Sequence, residues 1–151
     1  MSTVSYSVDA NILLYASDKS SPHQARALAF VERCMHGSEA WYLAWPTVMA
    51  YLRIATHASV FAAPLSPEEA AANVESLIAL PHVRVLSEGA NFWDRYRQIA
   101  SELPLRGNLV PDAHLAALLL EHGIRRLYSR DRDFRKFADL EVIDPLSVAT
   151  K

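Results

Sequence analysis

Four aspartates occupy positions where their carboxylates could act on one common target. Asp131 and Asp133 stand one residue apart in the segment LYSRDRDFRKF, directly after a short apolar run. Asp9 follows an alternating apolar segment near the start of the chain, and Asp112 precedes a long apolar segment. If the fold brings these acids together, their oxygen atoms can hold a divalent cation.

Gathering carboxylates is costly unless a cation binds between them. Two carboxylates about 4 Å apart repel by roughly 4 kcal/mol at an effective dielectric constant near 20. A cluster of three or four must therefore take up protons or bind a cation. Oxygen ligands favour Mg²⁺ or Mn²⁺, and zinc is less suitable because the four candidate ligands are all aspartates. Such an ion can orient water, lower its pKa and stabilise charge on a reacting phosphodiester.

Each acid also has an ordinary structural explanation. Asp9 and Asp112 are each suited to capping a helix, and the pair Asp131 and Asp133 is typical of a solvated turn. Residue types and spacing leave both explanations open, because neither shows whether the segments that carry the acids meet.

Short apolar segments alternate with helical patterns along the chain. Strands are predicted at residues 4–8, 40–44, 83–86, 126–129 and 140–143. Helices are predicted at residues 11–16, 22–36, 46–57, 67–80, 91–103 and 113–122, with a helical turn at 133–137. Ser21 and Ser66, each followed by proline, are predicted to cap the second and fourth helices. The alternation predicts an α/β layered sandwich with a mostly parallel sheet.

This arrangement would place all four acids at one edge of the sheet. Ligands of open α/β sheets bind beyond the carboxyl ends of the strands. Asp9 directly follows the first predicted strand, and Asp131 and Asp133 follow the fourth. Asp112 begins a helix after a loop that can reach the same edge.

Composition narrows the classes of protein that fit. The 151 residues predict one domain, residues 1–151, and a net charge of −2 argues against a broad basic surface for duplex nucleic acid. Cys34 is the only cysteine, so an internal disulfide is excluded and a reducing, cytoplasmic location is expected. The N-terminal segment lacks the pattern of a signal peptide, and no apolar run is long enough to span a membrane.

Three segments resemble the motifs of PIN domains. VDANILLYA, with Asp9 and Asn11, resembles the opening of such a domain, and VPDAHLAALLLEHG, with Asp112, resembles its central acidic helix. LYSRDRDF, with Asp131 and Asp133, resembles its T/S-x-D-x-D-F segment. The order and spacing also match, over essentially the whole chain. Within this family the chain most resembles VapC-type toxins of bacterial toxin–antitoxin pairs, and WPTVMAYLRIATHASVF is similar to a subgroup pattern around L-R-x-x-T-H.

The resemblance implies a Mg²⁺- or Mn²⁺-dependent endoribonuclease that cleaves RNA with a metal-activated water. It implies a PIN-like three-layer α/β/α sandwich with a mostly parallel central sheet. The metal-directed catalytic acids implied by matching positions are Asp9, Asp112 and Asp131. Asp133 would be a further catalytic ligand, direct or through water. Asn11 and Ser129 would orient the carboxylates by hydrogen bonds.

The same resemblance implies protein partners. A small antitoxin would lay an apolar helix in a groove of this chain and send an arginine to the acids, displacing the metal. A homodimer is also expected.

The chain departs from the family pattern at one position. Many relatives carry a glutamate in the helix after the second strand, where this chain has Tyr51. A tyrosine hydroxyl is a poor metal ligand at neutral pH because its ordinary pKa is near 10. Three alternatives follow from this departure. The metal affinity is lower, Asp133 takes a larger share of the metal binding, or the chain is a catalytically weakened PIN-like module that binds protein or RNA.

Basic residues near these motifs have two explanations each. Arg53 and His57 are predicted on one face of the third helix, where they could contact RNA phosphate or the carboxylates, or simply be exposed. Arg130 and Arg132 could hold phosphate, although ion pairs with nearby acids are the expected role. His114 is expected to be peripheral to the site.

Aromatic residues could stack on RNA bases, although packing is expected for most of them. The candidates are Trp41, Tyr42, Trp45, Phe61 and Phe92. No serine-hydrolase elbow, phosphate-binding loop or dinucleotide fingerprint occurs in the sequence. A phosphotransferase with Asp9 as nucleophile is disfavoured, because Ala10 and Asn11 replace the D-x-D-x-T pattern of such enzymes.

Overall fold

The computed structural model describes residues 4–147 and contains one five-stranded sheet within that range. The strands lie in the order β3-β2-β1-β4-β5, and every neighbouring pair is parallel. Their bounds are β1 Tyr6–Val8, β2 Trp41–Ala44, β3 Val83–Leu86, β4 Arg126–Tyr128 and β5 Glu141–Ile143. The predicted parallel sheet is confirmed, while the predicted domain bounds, 1–151, extend beyond the described residues at both ends.

Helices cover both faces of the sheet. The first four are α1 Ala10–Ser17, α2 Gln24–His36, α3 Trp45–Ala55 and α4 Pro67–Ile78. They share one hydrophobic core with the sheet. The others are α5 Phe92–Ala100, α6 Leu109–Glu121 and a 3₁₀ helix at Arg132–Lys136, which pack in a second core on the opposite face. The predicted α/β/α sandwich is therefore confirmed.

Alternation along the strands divides the apolar side chains between the two cores. In β2, Trp41 and Leu43 enter the first core, whereas Ala44 enters the second. Trp41 is fully buried, stacks on Tyr6 with ring centroids 5.9 Å apart, and donates its indole N–H to the Cys34 carbonyl. Both faces of the sheet are thus closed to solvent, and its carboxyl edge remains the place for a site.

The two predicted serine caps have different outcomes. Ser66 caps α4 as predicted: its Oγ accepts from the Glu69 N–H, and the Glu69 carboxylate accepts from the Ser66 N–H. The prediction for Ser21 is wrong, because α2 begins at Gln24. The Ser21 Oγ instead accepts from the His23 N–H in a turn that precedes the helix.

Two predicted helix bounds near the candidate site are also wrong. α6 begins at Leu109, so Asp112 lies in its first turn rather than ahead of it. Pro111 is tolerated there because the first-turn N–H groups have no partner within the helix. α3 ends at Ala55, so His57 lies beyond the helix, where its Nδ1 accepts from the Ser59 N–H.

None of the helices in the described range combines the length and apolar character that a bilayer crossing requires. The longest, α2 and α6, have 13 residues each. At 1.5 Å per residue such a helix is about 20 Å long, well short of the hydrocarbon thickness.

The Tyr51 hydroxyl connects three helices. Tyr51 projects from α3 and is only 2% exposed. Its hydroxyl accepts from Asn73 Nδ2 of α4 at 2.9 Å and shares a 2.7 Å hydrogen bond with Ser17 Oγ at the end of α1. The ring lines an apolar cavity of about 530 Å³ between α1, α2, α3 and α4. Tyr51 is thus a structural residue of the first core.

We predict that Tyr51→Phe lowers the free energy of unfolding by about 1 kcal/mol, because a buried hydroxyl loses two hydrogen bonds. Urea denaturation of the purified protein measures the difference. Tyr96→Phe is the matched control, since no hydrogen bond of the Tyr96 hydroxyl is found among the described residues. Equal losses in the two variants would contradict the connecting role of Tyr51.

Candidate metal centre

Asp9 lies at the junction between β1 and α1. Its backbone N–H donates to the Tyr128 carbonyl of β4 at 2.9 Å, which places Asp9 beside the end of that strand. Oδ1 accepts from the Ala10 N–H at 2.7 Å, so Asp9 is the N-cap of α1. Oδ2 accepts from Ser129 Oγ at 2.7 Å. The capping explanation is correct, and the second oxygen is tied to the neighbouring strand.

The Ser129 hydroxyl is the hub of the hydrogen bonds at this edge. It donates to Asp9 and accepts from the Asp131 N–H at 2.9 Å and from Asn11 Nδ2 at 3.3 Å. Ser129 itself is 2% exposed, so these bonds are shielded from water. Ser129 therefore contacts a carboxylate directly, whereas Asn11 reaches the carboxylates through the serine hydroxyl.

Asp131 and Asp133 form the start of the 3₁₀ helix. Asp131 is its N-cap, and its Oδ1 accepts from the Asp133 N–H at 2.9 Å. Asp133 lies in the first turn and is exposed, with Oδ1 at 3.6 Å from the Lys136 ammonium. The turn explanation is thus correct as local structure, and it directs both carboxylates beyond the end of β4.

Three of the four predicted acids converge closely. One carboxylate oxygen from each of Asp112, Asp131 and Asp133 can be chosen so that all three lie within 4.8 Å of one another. Asp112 comes from α6 and the other two from the 3₁₀ segment. Asp9 lies outside this triplet, and hydrogen bonds engage both of its oxygens.

The pKa values show how strongly the acids act on one another. Burial, followed by the charges of Asp131, Asp9 and Asp133, raises the pKa of Asp112 from 3.8 to about 6, and Lys136 opposes this weakly. Burial also raises the pKa of Asp9, while its hydrogen bonds lower it. The N-termini of α1 and α6 supply partial positive charge at the same edge, yet they do not cancel the repulsion.

The donor set fits a hard divalent cation. Mg²⁺ bonds to oxygen at about 2.1 Å, so its opposite ligands are about 4.2 Å apart. The three oxygens lie within 4.8 Å of one another, close to that separation, and the Asp133 side chain is exposed. The candidate ligands are all carboxylate oxygens, as Mg²⁺ and Mn²⁺ prefer.

Two buried polar atoms near this edge have no hydrogen-bond partner among the described residues, namely Asn11 Oδ1 and Thr47 Oγ1. Thr47 lies in the first turn of α3, which begins directly after the carboxyl end of β2. The sequence analysis missed Thr47. Its only signal was its position one turn before Tyr51 on the same face of α3.

Tyr51 does not join the acids. Its hydroxyl bonds to Ser17 and Asn73, on the side of α3 that faces α1 and α4. Within residues 4–147 no hydrogen bond links Tyr51 to any of the four aspartates. The position at which the family resemblance led us to expect a glutamate therefore supplies no acid to the site.

The basic and aromatic residues proposed to contact RNA differ in how far their side chains are exposed to solvent. Arg53 is exposed, and its predicted role with His57 stays a prediction. Trp41 and Phe61 are too buried to stack on a base, whereas Trp45, the first residue of α3, is 45% exposed. Tyr42 and Phe92 are partly buried against the second core.

Of the remaining candidates, His114 pairs with Glu88, and its predicted peripheral role stays a prediction. Arg130 forms the expected ion pair, with Nε at 3.5 Å from Asp144 Oδ2. The same expectation is wrong for Arg132, for which the described range contains no ion pair.

Comparison with known proteins identifies the family. A family model described as PIN domain matches residues 6–140. Ribonuclease VapC48 of Mycobacterium tuberculosis is 44% identical over 144 residues, which cover 95% of this chain and 99% of that protein. Ribonuclease VapC43 of the same species is 35% identical over 143 residues, covering 95% and 97%.

Solved structures share the fold at lower identity. The VapBC2 complex of Rickettsia felis bound to promoter DNA contains a chain that is 15% identical, with a TM-score of 0.65 over 92% of this chain and 97% of that one. VapC20 of Mycobacterium tuberculosis, described as a toxin that cleaves the sarcin–ricin loop, is 14% identical, with a TM-score of 0.63 over 90% and 98%. Family match, sequence identity and fold agree: the chain belongs to the PIN-domain family.

Proposed function

We propose that this protein is a metal-dependent endoribonuclease, the toxin of a VapBC-type toxin–antitoxin pair. The observation that carries the proposal is the convergence of the Asp112, Asp131 and Asp133 oxygens within 4.8 Å at the carboxyl edge of the sheet. Relatives that align over almost the whole chain are named ribonucleases, which supports RNA as the substrate.

The geometry favours a division of roles among the acids. Asp112, Asp131 and Asp133 would hold Mg²⁺ or Mn²⁺, which supplies a water of lowered pKa and stabilises charge on the phosphodiester. Asp9 adds negative charge beside them and is held in place by Ser129. Asn11 fixes the serine hydroxyl in turn, so the alignment of β1 with β4 sets the position of the acids. Arg53 and His57 remain proposed contacts for RNA phosphate.

An antitoxin is the proposed protein partner. Solved structures with this fold include VapBC complexes, such as those of Rickettsia felis and Salmonella typhimurium. The apolar cavity of about 530 Å³ between α1, α2, α3 and α4 offers a seat for an apolar helix of such a partner. Leu28 lines it and is 41% exposed, so docking would bury apolar surface. A homodimer also remains a prediction.

We predict that Asp112→Asn lowers the rate of RNA cleavage at least about 100-fold, because a metal ligand loses its charge. Cleavage of RNA by the purified protein is measured with Mg²⁺, with Mn²⁺ and with EDTA. Asp94→Asn, an exposed change on α5, is the control and should leave the rate unaltered. Circular dichroism shows whether each variant is folded.

The results of this cleavage assay distinguish a ribonuclease from a PIN-like module that only binds RNA. Cleavage that requires the metal and is lost in Asp112→Asn supports the ribonuclease. Binding of RNA without metal-dependent cleavage by the unaltered protein would instead support a weakened PIN-like binding module, which the orientation of Tyr51 away from the acids favours. Full activity of a folded Asp112→Asn variant would contradict the proposed role of Asp112.

The raised pKa of Asp112 predicts a pH-dependent stability. The folded metal-free protein binds a proton at Asp112 up to about pH 6, whereas the unfolded chain releases it near 3.8. The unfolded chain thus holds fewer protons in this window, so rising pH destabilises the native state. Asp112→Asn removes this loss, and its melting temperature should exceed that of the unaltered protein above about pH 6 but not near pH 4.

Differential scanning fluorimetry measures this difference across the pH range. Adding Mg²⁺ or Mn²⁺ near pH 7.5 should raise the melting temperature of the unaltered protein by preferential binding to the native state, but not that of Asp112→Asn. A constant difference at all pH values, or equal stabilisation of both proteins by the metal, would contradict a shared acidic site.

A further inference from the structure

A second cavity lies directly beside the acidic triplet. It has a volume of about 450 Å³ and is lined by Arg130, Arg132 and Arg135, with Asp131 and Asp144 among its other residues. Asp131 belongs both to this cavity and to the acidic triplet. A ligand in the cavity would therefore be separated from the proposed metal by a single carboxylate.

Arg130 is a fixed part of this cavity. Its Nε is 3.5 Å from Asp144 Oδ2, and its guanidinium lies over the Tyr15 ring at 5.9 Å from the centroid. One terminal nitrogen is 3.2 Å from His23 Nδ1. The charge of Arg130 is balanced by Asp144, so it shapes the wall without requiring another anion.

Arg132 and Arg135 are different, because nothing in the described range balances them. Both are exposed, and neither has a carboxylate oxygen within 4.0 Å among residues 4–147. They are three residues apart in a 3₁₀ helix, where such positions eclipse one another and point the same way. Asp133 and Lys136 have the same spacing and pair with each other on the adjacent side.

Two like charges on one side of a short helix repel each other unless an anion lies between them. The side chains of Arg132 and Arg135 share one cavity, and each offers a planar guanidinium with several N–H donors. Phosphate matches this donor geometry, and arginine binds it bidentately. The cavity is also open to solvent through these exposed residues, as a chain passing over the surface requires.

We propose that Arg132 and Arg135 bind an RNA phosphate next to the scissile one and so position the strand across the acidic triplet. The inference rests on the proposed ribonuclease function and names the substrate contacts of that same site. Contacts to phosphate fix the register of a nucleic acid without reading its sequence, so these arginines act on affinity and positioning. They are positioning residues, because the reacting atoms lie at the triplet.

The first test is RNA binding without cleavage. Arg132→Gln with Arg135→Gln is introduced into Asp112→Asn protein, and fluorescence anisotropy measures binding to a labelled single-stranded RNA pool of random sequence. Because the two arginines share one phosphate, their loss lowers the slope of log Kd against log salt by about 0.7 for a single strand and weakens binding about fourfold near 0.15 M salt. Arg84→Gln with Arg125→Gln is the control of equal charge change, since both residues are exposed and neither lines the cavity; Arg84 lies in β3 and Arg125 directly precedes β4.

Unaltered salt dependence in the Arg132/Arg135 variant, or an equal change in the Arg84/Arg125 control, would overturn the proposal. The proposal would also be overturned if RNA affinity stayed the same while affinity for an acidic peptide fell, since the arginines would then serve a protein partner.

The second test is cleavage by protein that retains Asp112. The Arg132/Arg135 variant should show a KM for RNA raised about fourfold and a kcat within about twofold of the unaltered protein. A KM that does not change, in protein that cleaves RNA normally, would overturn the inference and leave the ribonuclease standing. If neither the unaltered protein nor the Arg132/Arg135 variant cleaves RNA, but RNA binding still depends on these two arginines, the proposed ribonuclease activity is contradicted and the proposed phosphate site is supported.

Discussion

Repulsion among carboxylates at the carboxyl edge of the sheet is the constraint around which this molecule is arranged. Asp112, Asp131 and Asp133 approach within 4.8 Å, and Asp9 lies close enough to raise the pKa of Asp112. A protein of ordinary composition gains no stability from such a cluster, because each acid disfavours the charge of the others. A bound cation reverses the sign of these interactions, so the same geometry that costs stability without metal favours metal binding.

The fold enforces this approach through the backbone. Parallel pairing of β1 with β4 sets Asp9 beside Ser129, and the Ser129 hydroxyl joins Asp9 to the Asp131 N–H. The buried α6 packs in the second core and brings Asp112 to the same edge from its first turn. Arg132 and Arg135, which have no acidic partner in the described range, line the cavity beside the acids, where the proposed RNA strand would approach. The candidate metal centre and the proposed phosphate site are thus adjacent, and both use residues of the short segment after β4.

The sequence predicted the features that depend on the hydrophobic period and on strand order. It did not predict the features that depend on which of several partners a side chain contacts in the folded protein. Residues after parallel strands meet at one edge, so the proximity of Asp9 to Asp131 followed from the alternation of elements. Asp112 follows a helix and a loop, so its place in the site was expected from the family resemblance. Ser21 was mistaken for a cap because the choice between a turn and a helix start depends on small energy differences. The destination of the Tyr51 hydroxyl was hidden because its partner Asn73 lies 22 residues away. The shared direction of Arg132 and Arg135 was missed because the predicted helical turn began at residue 133, whereas the 3₁₀ helix includes Arg132.

Anomalous diffraction from crystals soaked in Mn²⁺ tests the metal centre most directly, since it locates the ion independently of any activity. A manganese peak bonded to oxygens of Asp112 and Asp131, at about 2.2 Å, is the predicted result. A fully occupied manganese site elsewhere on the molecule, with these two carboxylates left without metal, would contradict it.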